Sequence, residues 1–455
     1  VAATLTEENE AAAGTGVGVL VDAALILVGL VLLAFGQPHR LIGDGQLRFE
    51  ALNDLLAHGK LSDVSYSLVG PLFATPLWII GTLGGNPVEA TQYYNVLVFA
   101  TGLLALYLLL SDRIDGVLLR RFLLLLVAGS TIAPNLADFY GDTFTAMSVG
   151  VGVVAVLAGQ HPATRFAGWA AVVLGVVNTP ATLVGLGLVS IAELVRRRRL
   201  RFALPLLVAG VLVLGEAWLR RGSPFTTGYE GNSGVQTVMP YSGRPGFSYP
   251  FLLGLVAILF SFGKGLVWYL PGLLLPARRR LRAMAVESTV DPWRIWVLWA
   301  LFLAGMLLVY SRWWAWYGGV YWGPRLFLLA ILPASLALAA ALRDERSGLL
   351  ANLAALAALT LSVWVGADSL VFGQLWALIC YENSWALESL CHFTPDYSAL
   401  WYPFVAKPAL TTGQLGELLY YGVVFGWLAA APVRRIAAQV RSSLPTRTRL
   451  TGWRW

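Results

Sequence analysis

Long apolar runs recur from one end of this chain to the other, and they limit the fold more than any other feature. Twelve runs are candidate spans: Val17–Gly36, Gln92–Leu110, Phe122–Pro134, Thr143–Ala158, Phe166–Val177, Ala181–Val195, Phe202–Trp218, Phe251–Leu275, Trp293–Tyr310, Leu326–Leu342, Leu349–Val365 and Leu415–Ala431. Several are short for a hydrocarbon layer of roughly 30 Å. Only 13% of the 455 residues are charged and 57% are hydrophobic, whereas a soluble domain carries about a quarter charged residues. The expectation is an all-α polytopic membrane protein with about twelve transmembrane helices. Ser67–Leu83 is also apolar but carries Pro71 and Pro76, and reads as a helix lying in, or dipping into, the outer interface.

The basic residues fix a sidedness. They cluster at Arg113/Arg120/Arg121, Arg196–Arg199 with Arg201, Arg278–Arg280 with Arg282, Arg343/Arg346, and Arg434/Arg435/Arg441. If Ser67–Leu83 does not cross and the N-terminus is cytoplasmic, every cluster falls inside, as the positive-inside rule requires. Both termini are then cytoplasmic in a multi-pass plasma-membrane protein. Residues 1–16 form a cytoplasmic tail, 17–431 the membrane domain, and 432–455 a basic cytoplasmic tail. Val17–Gly36 is too long for a cleavable leader and no clean small-residue cleavage site follows it. The short basic clusters are topology signals rather than a nucleic-acid surface.

This sidedness gathers the long polar loops on the outer face: 37–91, 220–249, 311–323 and 366–413. Irregular sequence concentrated on one face marks where the work is done. Of the chain's 32 basic residues only three are lysines, Lys60, Lys264 and Lys407. Lys264 lies between Gly263 and Gly265 near the outer end of an apolar run, in "FSFGKGLVWYLP". A cation there needs a partner, and an anionic headgroup or phosphate would serve; the alternative is snorkelling to the interface. In "SRWWAWYGGVYWGPRLF" tryptophans and tyrosines, among them Trp313, Trp314, Tyr321 and Trp322, flank Arg312 and Arg325. Arginine suits bidentate phosphate contact, so this reads as a sugar or phosphate platform, or else as an aromatic belt. Residues 221–250 are rich in Gly and Ser and read as a lid, an acceptor loop or a linker.

The densest mixture of charges follows the first span, in "LIGDGQLRFEALNDLLAHGKLSDVSYS". With "YSLVGPLFATPLWIIGTLGG", "FSFGKGLVWYLP" and "WWAWYGGVYWGPRLFLLAILP", this layout resembles the GT-C superfamily of integral-membrane glycosyltransferases. More narrowly it looks like the branch of protein O-mannosyltransferases and the lipid A aminoarabinose transferase. The likeness covers most of the chain by topology. Gly70–Leu72 resembles the branch's "PPL" stretch with one proline, and the adjacent acid pair of some members is absent, because Gly45 follows Asp44. The resemblance implies transfer of a sugar from a polyprenyl-phosphate carrier to a lipid, glycan or protein hydroxyl on the outer face. It also implies that a second outer acid near the start of the fourth span, matched best by Asp142, positions acceptor or metal.

The residues support that chemistry. Phosphate is already a good leaving group, so an inverting transferase can work with one carboxylate as base. Asp44 sits about eight residues past the first run, between Gly43 and Gly45, which leave room for a substrate. Burial there would raise its pKa; its structural alternative is the N-cap of the following helix. Asp142 has the same alternative for a helix starting at Thr143. Lys264 and Arg325 are the candidate donor-phosphate ligands, and Arg48, His58 and Asp138 join the substrate-binding candidates. Paired outer carboxylates could hold a divalent cation, whereas the scattered histidines argue against zinc. Cys380 and Cys391 share an outer loop and are expected to form a disulfide. Two other readings compete. A ligase or polymerase of O-antigen type should carry a dominant late outer loop. A lipid-linked sugar transporter should carry inverted repeats and mid-membrane charges.

Overall fold

The computed structural model describes residues 2–229, 236–244, 246–286, 290–319, 321–373, 380 and 385–443, with the side chains of residues 2–15 left aside. The chain is all-α. Among the described residues eight helices are long and apolar enough to cross a membrane: Gly16–Phe35, Pro87–Leu110, Gly141–Ala158, Leu200–Arg221, Pro292–Tyr310, Arg325–Arg343, Leu349–Val371 and Thr412–Ser443. Twelve spans are not seen at that length. Three of the remaining runs form shorter helices, Gly116–Ala128, Pro162–Asn178 and Leu183–Arg197. The fourth, Phe251–Leu275, is not one helix. It breaks after Phe260 and resumes as single turns at Leu266–Tyr269 and Pro271–Leu274. The glycines around Lys264 and the missing N–H of Pro271 end the helical ladder there.

Ser67–Leu83 is likewise two pieces, Val69–Leu72 and Thr75–Leu83, and a longer helix, Gly43–His58, precedes them. The loop expected to start at Gly366 starts later, because the helix continues to Val371.

Packing follows side-chain size. Helix Gly141–Ala158 lies against Pro162–Asn178 at a point where a Cβ on Gly152 would come 2.6 Å from the Gly168 carbonyl. Backbones this close are what small residues permit between membrane helices, where tight van der Waals packing replaces the hydrophobic drive. Ile331–Arg343 is enclosed on nearly every side.

Four of the arginine clusters meet at one end of the bundle. Arg343 pairs with Asp115 at 3.3 Å and Arg280 with Asp344 at 3.0 Å. Arg121 and Arg435 both donate to the Leu342 carbonyl, at 2.9 and 3.0 Å. Arg113 reaches the carbonyl of Ala158, the last residue of the helix whose first turn carries Asp142. At 1.5 Å per residue, Asp142 therefore lies about 24 Å away, at the opposite end.

Candidate active site

Three residues far apart in sequence meet at that opposite end. Arg325 opens a 3-10 turn that leads into the Ile331–Arg343 helix. Its Nη2 donates to Asp44 Oδ2, and its Nε lies 3.6 Å from Asp142 Oδ2, an ion pair rather than a hydrogen bond. Asp44 and Asp142 each stand in the first turn of a helix, Gly43–His58 and Gly141–Ala158. Neither caps its helix. The N-cap positions belong to Ile42 and Tyr140, and neither makes a side-chain cap. Both carboxylates instead face the cation. The three side chains keep 28%, 17% and 14% exposure for Asp44, Asp142 and Arg325, so the group is sheltered but reachable.

Tyrosines wall the group. The Arg325 guanidinium lies over the rings of Tyr140 and Tyr321, 4.5 and 5.3 Å from their centroids, close enough for cation–π attraction. Arg48 is buried, donates to the Ser67 carbonyl at 3.3 Å, and lies over the Tyr66 ring at 4.8 Å. The Tyr66 hydroxyl acts on the Asp44 carboxylate as a donor, favouring its charged form. Burial alone would raise the Asp44 pKa, but Arg325, the Tyr66 hydroxyl and Arg48 outweigh it and hold the carboxyl below its ordinary value. The sequence-based expectation of a raised pKa is therefore corrected: a cation within contact distance wins over desolvation.

Tyr66, Tyr140 and Tyr229 escaped the sequence reading. Nothing local distinguishes them among the chain's 17 tyrosines. Two buried asparagines were missed as well. Asn95 Nδ2 donates to the carbonyls of Asn135, Asp138 and Tyr140 at 3.2, 2.6 and 2.9 Å. Asn178 donates to the Gly141 carbonyl at 2.9 Å and accepts from Gly70 N at 3.0 Å. Both sit at the ends of apolar runs, which was the available signal.

Asp138 serves the scaffold. Its Oδ1 accepts from Ile42 N at 3.2 Å and Phe139 N at 3.3 Å, pinning the start of the Gly43–His58 helix. A Cβ on Gly45 would lie 2.9 Å from that oxygen. Gly45 therefore admits this close packing rather than leaving room for substrate. Burial pushes the Asp138 carboxyl up to about 7, against the two backbone donors. A folded pKa raised above the unfolded value means that the fold binds the proton more tightly. Stability should then fall as pH rises from about 4 to about 7, and level off above. Asp138→Asn keeps the acceptor oxygen and removes the titration. Thermal unfolding in detergent should show a pH-independent midpoint for the variant across that window, where the parent chain declines. Parallel pH curves for the two proteins would refute it.

Lys264 is not positioned for phosphate. It is 2% exposed, and its Nζ donates to the carbonyls of Gly319 at 3.2 Å, Tyr321, and Gly323 at 3.0 Å. Its ammonium thus gathers the loop that ends at Arg325. Lys264→Met would leave those carbonyls without their donor, a loss on the order of 3 kcal/mol. The expected result is a melting midpoint several degrees below that of the exposed-site control Lys407→Met; equal midpoints would count against this role.

The aromatic stretch divides. Trp322 is buried and donates from Nε1 to Asp368 Oδ2 at 3.0 Å. Trp316 and Tyr317 are also core residues, so this half is packing, not platform. Tyr321 donates to the Pro134 carbonyl and faces Tyr140 edge-on at 5.2 Å. Trp313 is half-buried against Tyr229, 5.5 Å away, and Phe247, 5.2 Å away. Trp314 packs beside Trp313 at 6.4 Å, and exposed Arg312 donates to the Phe247 carbonyl at 3.3 Å. His58 is exposed at the far end of its helix, about 21 Å from Asp44, outside the group. Cys380 and Cys391 are joined, with Cα atoms 6.3 Å apart. Residues 381–384 between them, like residues 230–235 of the Gly/Ser-rich loop and the C-terminal 444–455, lie outside the described residues. Among the described residues no three His, Cys, Asp or Glu side chains form a metal-ligand group.

No family model matches the chain, and no curated protein matches it. Among solved structures it is similar to ArnT from Cupriavidus metallidurans. Against the structure bound to undecaprenyl phosphate the identity is 16% and the TM-score 0.48, covering 94% of this chain and 80% of that one. Against the apo structure the values are 15% and 0.48, covering 95% and 81%.

Proposed function

We propose that this chain is a membrane glycosyltransferase that moves a sugar from a polyprenyl-phosphate carrier to an acceptor hydroxyl at the outer membrane face, with inversion and with Asp44 as general base. The observation that carries this reading is the Asp44–Arg325–Asp142 group, opposite the arginine clusters and beside the membrane-spanning bundle. A carrier lipid would keep its chains in the bilayer and bring its phosphate to that level.

The acceptor O–H gives its proton to Asp44 while its oxygen attacks the sugar's anomeric carbon. The bond from that carbon to the phosphate oxygen breaks, and polyprenyl phosphate leaves with the electron pair. Arg325 and Arg48 would stabilise the phosphate, an electrostatic contribution that grows where water is excluded. Asp142, on the other side of Arg325, would keep that cation oriented. Trp313 and Tyr229, half-buried against each other, are the aromatic side chains that would pack on a sugar. A divalent cation is not required by this scheme.

The test is transfer by the purified chain in lipid nanodiscs, supplied with polyprenyl-phosphate pentoses and hexoses. Release of polyprenyl phosphate with single-sugar products of inverted configuration supports the reading. En bloc transfer would favour a ligase, and movement without cleavage a transporter. Sidedness has its own check. In a background lacking Cys380 and Cys391, a cysteine at position 60 should react with an impermeant maleimide on intact cells. One at position 198 should react only after permeabilisation. Labelling at 198 from outside would put the acid group on the wrong face.

A further inference from the structure

Tyr66 reaches Asp44 from a segment with no regular structure of its own, Ser62–Leu68. Such a stretch would leave a phenol poorly aimed unless something grips the backbone. The grip comes from the end of the Leu204–Arg221 helix. Arg220 is buried, and its guanidinium donates to the carbonyls of Ser62 at 2.8 Å, Val64 at 2.9 Å and Tyr66 at 2.6 Å. Its remaining contact is Glu216, one turn back, at 2.9 Å. Glu216 in turn accepts from the Ser67 hydroxyl and from Leu68 N, both at 2.8 Å. Arg221 adds a bond to the Val64 carbonyl at 3.2 Å. On the other side Gly228, at φ +83, lies so close that a Cβ there would come 2.7 Å from the Ser65 Cα.

A helix end of a lipid-facing span would not need a buried guanidinium for its own stability. Its planar fork matches three carbonyls spaced along one strand of chain, a fit that a point charge could not reproduce.

We propose that Glu216 and Arg220 form a positioning clamp that fixes the Ser62–Leu68 segment and so sets the Tyr66 hydroxyl on Asp44. The proposal rests on the reading of Asp44 as the reacting carboxylate. Five groups act on that carboxylate: Arg325, Arg48, Asp142, Tyr66 and Tyr229. The clamp itself touches only the segment that bears Tyr66. It positions through that residue and holds no substrate.

The experiment reads Asp44 directly and needs no sugar. A carboxyl adds its oxygen to a carbodiimide carbon while its proton passes to the nitrogen, so the pH midpoint of labelling at Asp44, followed by peptide mass spectrometry on the full chain in detergent, reports that group's proton affinity. A hydroxyl donated to a carboxylate favours the charged form, and its loss moves the midpoint upward. Tyr66→Phe and Arg220→Gln should each raise the midpoint by about one pH unit. Arg220→Lys, which keeps the charge without the fork, should fall between them and the parent. Arg165→Gln, at the opposite end of the bundle, should not move it. Amides of Ser62–Leu68 should also exchange at least about tenfold faster in Arg220→Gln, since local opening sets exchange.

An unmoved midpoint in Arg220→Gln, with Tyr66→Phe shifted, overturns the clamp. If the Gln variant does not fold, an unmoved Arg220→Lys overturns it equally. No shift in Tyr66→Phe removes the bond on which it acts. The outcome is separable from the glycosyltransferase reading. A shifted midpoint together with full transfer by Asp44→Asn leaves the clamp standing and the base role fallen. The reverse pair of results does the opposite.

Discussion

Asp44→Asn should leave the chain folded and lower sugar transfer by about 10²–10⁴-fold, the range for loss of a general base. The fold should survive because Asp44 is not the helix cap; Ile42 occupies that position. Replacing one first-turn acid costs about 0.3–1 kcal/mol through the helix dipole. The amide oxygen still accepts from Arg325 or Tyr66, and Arg325 keeps Asp142 at 3.6 Å. Carrier binding should persist or tighten, since a negative charge has left the phosphate's neighbourhood. The pH profile is a second measurement. Arg325, Tyr66 and Arg48 hold the Asp44 carboxyl below its ordinary value against burial. The Asp44 carboxylate is therefore ionised at neutral pH, and the transfer rate should show no acid limb from Asp44 near neutrality. Transfer by the Asn variant within threefold of the parent would end the base assignment and move the search to Asp142.

What the sequence made legible here has a physical logic. In a chain so poor in charge, an acid or arginine at the border of an apolar run stands out. Asp44, Asp142 and Arg325 could be named singly for that reason. Their mutual contact could not, because it depends on how three helix starts are brought to one level by packing such as that at Gly152. Lys264 shows the opposite case. The sequence correctly demanded a partner for a bare cation, but carbonyls from 55 to 59 residues away satisfy it. A backbone partner leaves no trace in composition. Trp322 misled for a related reason: an aromatic near a span end looks alike whether it faces lipid, sugar or, as here, Asp368. Fewer full-length helices than apolar runs are seen among the described residues because glycine, proline and lysine interrupt Phe251–Leu275, and because runs such as Phe166–Val177 lie in shorter helices, here Pro162–Asn178. Hydropathy registers the oil and not the break.

Arg325→Gln should have the widest consequences of any single change in the site. It removes the cation shared by Asp44 and Asp142, leaving two sheltered carboxylates without their ion-pair partner, a situation that costs up to about 3–5 kcal/mol, with Arg48 and Tyr66 offsetting part of it. A clear drop in melting midpoint in detergent is expected. Carrier affinity, read by displacement of a fluorescent polyprenyl phosphate, should fall at least about tenfold with the lost charge-assisted contact. The Asp44 labelling midpoint should rise, because the strongest opposing influence on its burial is gone. Transfer should fall by about 10²–10³-fold, as for loss of one electrostatic stabiliser. Arg325→Lys separates stability from chemistry. It restores a charge but cannot span both acids, since an ammonium lacks the guanidinium's fork. It should recover most of the melting midpoint while transfer stays low. Arg325 rests on carboxylates, so under the proposed mechanism a phosphate in the site would compete with Asp44 for it. As that phosphate gained charge on leaving, it would draw Arg325 away, and Asp44 would become a stronger base as the acceptor proton moves. An Arg325→Lys chain with parental transfer would refute this exchange. It would leave Arg325 as a structural counterion alone.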